Sequence, residues 1–192
     1  MAILEASTRF LADGTKVIIR SAALKDATAT LNLFRSIVEE GFYTLAEPTE
    51  LTTTVEDEQA AIAKDQECPG NLCLVAEVHG EIVGMIRAES GSYGRTRHFA
   101  DIDSMWVNAS WRGRGISNLL MISLLKWAKQ HSVLEKLGLF VFSTNTRAIK
   151  FYEKHGFVIE GKYSRDIKFS EGNYVDTVAM GQLIKLRDVP AR

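Results

Sequence analysis

Polar and apolar positions along the chain fall into two rhythms, and their alternation predicts the elements. The run "TKVIIRSA" (15–22) is β-branched and predicts a strand. Over 21–42, Leu24, Leu31, Phe34 and Val38 recur at helical spacing, which predicts an amphipathic helix stopped near Gly41. Residues 42–54 show no period. "TTTVEDEQAAIAKDQ" begins with a threonine cap and acidic first-turn residues, so a second helix is expected, with "VEDEQ" on its solvated face.

Two apolar runs flank "HGE" in "NLCLVAEVHGEIVGMIRAESG". They predict a hairpin in which Gly80 takes a positive φ. After the loop "GSYGRTR", "HFADIDSMWVN" reads as a strand. "GISNLLMISLLKWAKQHS" reads as a helix with Leu119, Ile122, Leu125 and Ala128 along one side. "KLGLFVFS" is a short buried strand. "TNTRAIKFYEKHG" is a helix capped by Thr or Asn and stopped by Gly156. "FVIEGKYSRDIKF" and "NYVDTVAMGQLIKL" are closing strands joined through "SEGN". The order is β α α β β β α β α β β. Its first half is hairpin-linked, and the strand–helix–strand units of its second half need crossovers. An α/β fold with a mixed sheet flanked by helices follows.

Composition narrows the class. With 192 residues, 46% hydrophobic and 24% charged, the chain suits one globular domain spanning 1–192. A net charge of −1 provides no basic field for nucleic acid or an acidic membrane surface. No apolar run reaches the ~18 residues of a membrane span, and the N-terminus lacks a basic start followed by an apolar stretch. A cytoplasmic location is the expectation. Cys68 and Cys73 have four residues between them, unlike the closer pairs of redox or zinc motifs, and read as reduced thiols. No His–carboxylate grouping has metal-ligand spacing, so no metal is expected. His79 reads as a turn residue, His131 and His155 as helix-end residues on the dipole, and Trp106 and Trp127 as core.

The stretch "WRGRGISNLL" (111–120) stands between a strand and a helix. A helix N-terminus leaves its first amides unpaired and partly positive. Gly113 and Gly115 allow close approach to that backbone, and Arg112 and Arg114 add charge, a combination suited to a diphosphate. Taken alone, the stretch is equally well a solvated turn. It is neither a P-loop nor G-x-G-x-x-G.

The wider arrangement resembles the GCN5-related N-acetyltransferase (GNAT) superfamily. Arg112, Gly115 and Ser117 stand at the marked positions of its loop pattern [QR]-x-x-G-x-[GA], with Ser117 departing from Gly or Ala. Asn145, Ala148, Tyr152, Gly156 and Phe157 complete its second pattern, N-x-x-A-x-x-x-Y-x-x-x-G-F. The resemblance spans 16–184 and is most specific over 98–162.

The resemblance implies a splayed sheet and acetyl-CoA as acyl donor. The diphosphate would lie on the amides of Arg112, Gly113, Arg114, Gly115, Ile116 and Ser117. The pantetheine would pair with the backbone of Met105, Trp106 and Val107. Asn145 would bond the pantetheine, and Ala148, Phe151 and Tyr152 would belong to the same pocket, with Phe151 and Tyr152 at the sulfur end. Tyr152 is the candidate acid. Asp101 or Asp103 is the candidate base, unless both are solvated or paired with Arg95, Arg97 or His98. The acceptor, a primary amine on a small molecule or on a peptide or protein, would meet Phe42, Tyr43 and Glu47 on one side. It would meet Tyr163, Asp166, Tyr174 and Asp176 on the other, where acidic and aromatic groups suit a cation. A rival reading is an acyl-CoA-binding module without turnover. Family members commonly dimerise through the sheet edge or the C-terminal strands.

Overall fold

The structure is a computed structural model that describes residues 3–169 and 172–185. Its strands are β1 (Ser7–Phe10), β2 (Lys16–Ser21), β3 (Leu72–Val78), β4 (Glu81–Ser90), β5 (Phe99–Val107), β6 (Lys136–Phe142), β7 (Val158–Lys168) and β8 (Tyr174–Leu183). Its helices are α1 (Ala27–Glu39), α2 (Val55–Glu67), α3 (Ile116–Gln130) and α4 (Thr146–Lys154). The strands form one sheet in the order β1-β2-β3-β4-β5-β6-β8-β7. Every described pairing is antiparallel except β5 with β6. The sheet is therefore mixed, and α3 supplies the crossover between its parallel pair.

Helices cover both faces. Ile86, Ala88, Ile102 and Leu139 pack with Leu120 and Leu124 of α3, and half-buried Ala148, Ile149, Phe151 and Tyr152 of α4 join that cluster. On the other face, Cys73, Val75 and Met85 pack with Leu33 of α1 and Ile62 of α2. Among the described residues, no helix is long and apolar enough to cross a membrane.

The hairpin β3–β4 turns through His79 (φ 51) and Gly80 (φ 85), as the "HG" step predicts. Strand β1 has no counterpart in the sequence pattern. Its four residues, "STRF", lie on a sheet edge with no buried position and so carry no alternation to read. Two helical faces also differ from expectation. Leu24 is 46% exposed in a short 3-10 turn before α1, and Leu33 takes a buried place. In α3, Ile122 is 49% exposed, while Ile116, Leu120, Met121, Leu124 and Ala128 are buried. Ile116, Leu120, Leu124, Trp127 and Ala128 form one apolar side, whereas Leu119 and Ile122 fall among Asn118, Lys126 and Lys129; a row read every third residue drifts about 60° per step and leaves the buried side.

The "VEDEQ" expectation fails at Glu58. Thr54 caps α2 and exchanges hydrogen bonds with Asp57 as expected, but Glu58 and Asp65 point inward. They bracket Arg87 of β4, with Nη2 2.9 Å from Glu58 Oε1 and Nε 2.8 Å from Asp65 Oδ2. Thr30 also donates to Glu58, and Asn71 to Asp65. His131 does not sit as a cation on a helix dipole. Its Nδ1 accepts from the amides of Val133 and Leu134, its Nε2 lies 2.9 Å from the Pro69 carbonyl, and burial lowers its pKa. Cys68 and Cys73 are free thiols, and burial pushes Cys73 up to about 12.

Candidate functional site

The site begins where two strands part. Strand β5 pairs with β6 only at Phe99↔Lys136, Ala100↔Leu137 and Asp101↔Gly138. Beyond Asp101 it remains bonded to β4 alone, and β6 continues against β8. A wedge thus opens along Ile102–Val107. At its apex Gly138 has no Cβ for a steric reason: one placed there would lie 2.5 Å from the Phe99 ring and 3.0 Å from the Asp101 carboxylate. On its β4 side, Ala88 pairs with Ile102 and Arg87 with Ser104, which leaves Asp103 as the extra residue of a β-bulge.

The wedge ends at the N-terminus of α3. A 3-10 turn over Ala109–Trp111, capped by Asn108, leads into the glycine loop. Gly113 (φ 76) and Gly115 (φ 99) are both left-handed, and a Cβ on either would meet nothing within 4 Å. A left-handed turn facing open space lets a ligand reach the main chain. The helical ladder starts with Leu119 donating to Gly115 at 3.1 Å, so the amides of Ile116, Ser117 and Asn118 precede its first bond. They stand at the positive end of a 15-residue helix.

Arg112 is placed differently from its neighbours. Its amide donates to the Ala109 carbonyl at 3.3 Å. Its Nε donates to the Val107 carbonyl at 2.9 Å, and its two terminal nitrogens grip Glu40 at 2.7 and 2.6 Å. The expected diphosphate donor is thus occupied within the fold, as is one lone pair of the Val107 carbonyl. Arg114 is exposed, with its guanidinium 4.9 Å above the Trp111 ring.

Helix α4 faces the wedge from one side of the sheet. Asn145 caps it by accepting from the Ala148 amide at 3.1 Å. Tyr152 reaches across to Met105 of β5, its hydroxyl 3.8 Å from Sδ. Its ring is half-buried beside Phe151 and Phe157, but the hydroxyl is enclosed, and burial pushes the phenol to about 12.

The carboxylates belong to the opposite face. Asp103 is exposed to water at the bulge, yet the protein mass around it raises its carboxyl to about 6, against the pull of Arg87. Burial also raises Asp101, with Lys136 opposing. Among the described residues neither carboxylate forms an ion pair with Arg95, Arg97 or His98; Arg87 and Lys136 are the cations that act on them. Trp106 stacks on Phe34 of α1 with ring centres 4.6 Å apart.

The expected acceptor residues divide. Phe42 is 68% exposed, and Tyr43 meets Phe142 edge-on at 6.5 Å. Phe142 in turn meets Phe169 at 6.2 Å, so these rings connect the α1–α2 loop with the β7–β8 hairpin. Phe142 and Phe169 carry no motif, and only the topology brings them to Tyr43. Glu47 opens a 3-10 turn, its amide bonded to Glu50. Tyr174 lies under Arg165 at 4.5 Å, and Tyr163 packs on Phe140. Asp176 accepts from the Arg165 amide and pairs with Lys162, and Asp166 accepts from the Thr177 amide. Both aspartates hold the β7 bulge and are committed within the hairpin.

The sequence matches the model of the Acetyltransferase (GNAT) family over residues 35–157. The chain belongs to this family. One relative, the L-amino acid N-acetyltransferase AaaT of Escherichia coli (strain K12), is 32% identical over 115 residues, 60% of this chain and 70% of that one. A GNAT-family acetyltransferase from Streptococcus pneumoniae superposes with a TM-score of 0.83 at 28% identity, over 87% of this chain and 99% of its own. The structure of yncA from Salmonella typhimurium, solved with acetyl-CoA, has a TM-score of 0.80 at 19% identity, over 91% and 98% of the two chains. The open, mixed eight-stranded sheet flanked by four helices matches the architecture of these GNAT neighbours, and in this chain it parts between β5 and β6.

Proposed function

We propose that the protein transfers an acetyl group from acetyl-CoA to a primary amine, within a ternary complex in the β5–β6 wedge. One observation carries this reading: the wedge runs from its closed apex at Asp101↔Gly138 to two left-handed glycines at the α3 N-terminus. A long ligand with an anionic middle fits that path. Its pantetheine would take the free edge of β5 along Met105–Val107, and its diphosphate the amides of Gly113–Asn118. Acetyl-CoA supplies an activated acyl group as a thioester.

The residues around the wedge have separable tasks. Asp103, as a carboxylate, takes the proton that an ammonium must lose before its nitrogen attacks. A carboxyl raised to about 6 is a better base than an ordinary aspartate and is still ionised at neutral pH. Tyr152 remains a phenol at neutral pH and donates to the departing thiolate. With its pKa at about 12, full proton transfer is uphill, so a hydrogen bond that strengthens with charge is its contribution. Asp101 adds negative charge beside the same opening.

Aromatic and acidic groups around the opening, Tyr43, Phe142, Asp101 and Asp103, favour a cationic amine of modest size. The name of the Escherichia coli relative makes free amino acids the first acceptors to assay. Two unpaired thiols suit a reducing, cytoplasmic setting. The test is amine-dependent release of CoA thiol across amino acids, polyamines, small amines and peptide N-termini. Release with at least one class supports the reading. Thermal stabilisation by acetyl-CoA without release from any of them contradicts it and points to a binding module.

A further inference from the structure

Arg112 occupies the arginine position of the loop pattern, yet its guanidinium is committed to Glu40. Three N–H groups of one planar fork are used, two on the Glu40 carboxylate at 2.7 and 2.6 Å and one on the Val107 carbonyl at 2.9 Å. A fork held at both ends fixes orientation as well as distance. Glu40 caps the C-terminal end of α1, and Gly41 (φ 71) follows it. The segment 42–54 then runs largely exposed, carrying Phe42 and Tyr43. Its far end is held by Arg35 donating to the Thr53 carbonyl at 3.1 Å, and Tyr43 touches Phe142. The glycine loop and the root of the acceptor-side segment are therefore joined through the Arg112–Glu40 ion pair.

We infer that the Arg112–Glu40 pair couples the two substrates: a ligand held by the 113–118 amides orders the 42–54 segment. This rests on the reading above that those amides hold the diphosphate. Fixing the Arg112 backbone fixes its fork, the fork fixes Glu40, and the segment that starts at Gly41 loses freedom at its root. Linkage makes the effect reciprocal, so an acceptor resting on 42–54 strengthens binding of the acyl donor. Arg112 is thus a positioning residue, and Glu40 is its counterpart on the acceptor side.

Hydrogen exchange of the full chain with and without saturating CoA tests this. In the unaltered protein, CoA slows exchange in both 113–118 and 42–54. In Glu40→Ala and Glu40→Gln, CoA still slows 113–118, but the slowing in 42–54 is lost. Added salt weakens the effect on 42–54 in the unaltered protein, because the ion pair is partly exposed. A pair that merely braced the fold would leave exchange in 42–54 insensitive to CoA. The inference is overturned if both variants retain CoA-dependent slowing in 42–54, or if the unaltered protein shows slowing only in 113–118. CoA that slows neither segment removes the diphosphate reading itself and the coupling with it.

Discussion

Tyr152 reaches β5 from one face while Asp103 of β5 itself belongs to the other, and desolvation is the largest cause of the pKa shift of each. Tyr152→Phe keeps the ring against Phe151 and Phe157 and removes only the donor. Turnover is expected to fall about 10²–10³-fold, the effect of removing one hydrogen-bond donor to developing charge, with acetyl-CoA affinity nearly unchanged. Steady-state rates beside calorimetric binding check this; equal turnover removes the role. For Asp103 the rate should rise with pH through about 6, and Asp103→Asn should lose that limb. The stability effect has the opposite sense. A carboxyl raised in the folded state contributes stability that is complete below its unfolded value, about 3.9, and is lost as pH rises through about 6. Denaturant unfolding between these limits should show the loss in the unaltered protein and less of it in Asp103→Asn. Tyr152 was legible because it falls at a fixed offset from Asn145 and Gly156 on one helix. The position of Asp103 in a bulge was not, since an extra residue in a strand changes no residue type.

At the scale of elements, α2 shows what periodicity misses. An acidic run reads as solvated because charge alone does not reveal a partner 29 residues away. Here Glu58 and Asp65 enclose Arg87, opposite Ser104 and beside the bulge that carries Asp103. Arg87→Met leaves two buried carboxylates without their cation and should cost about 3–5 kcal/mol. The shift should appear in the urea midpoint with an unchanged slope. Helix α4 was read more fully: its cap Asn145 and its stop Gly156 (φ 90) are local features, and both take the expected places. Helix α3 lies between these cases. Its existence and its glycine start are legible, and its buried side follows the fourth-residue row Ile116, Leu120, Leu124 and Ala128, which the third-residue row Leu119, Ile122, Leu125 and Ala128 crosses rather than follows.

At the scale of the molecule, function depends on a sheet that is incomplete by design of its register. Three residue pairs hold β5 to β6, and the remaining edge of β5 faces the wedge. Crossover connections imply the mixed sheet, but the close approach of Phe99 and Asp101 to Gly138 at the end of the parallel ladder is a long-range contact that no local pattern encodes. The outer strand β7 ends the sheet with two bulges and with Lys162, Arg165 and Lys168, features that discourage another strand from adding there. The open edge of β5 lies inside the molecule instead, between helices α3 and α4. The most direct test follows main-chain amide resonances of the full chain during a CoA titration. The largest changes should fall on Gly113–Asn118 and on Met105–Val107, with β1, β2 and β3 little affected. Saturable changes centred elsewhere, with the 113–118 amides unmoved, would contradict the claim that the α3 N-terminus holds the diphosphate.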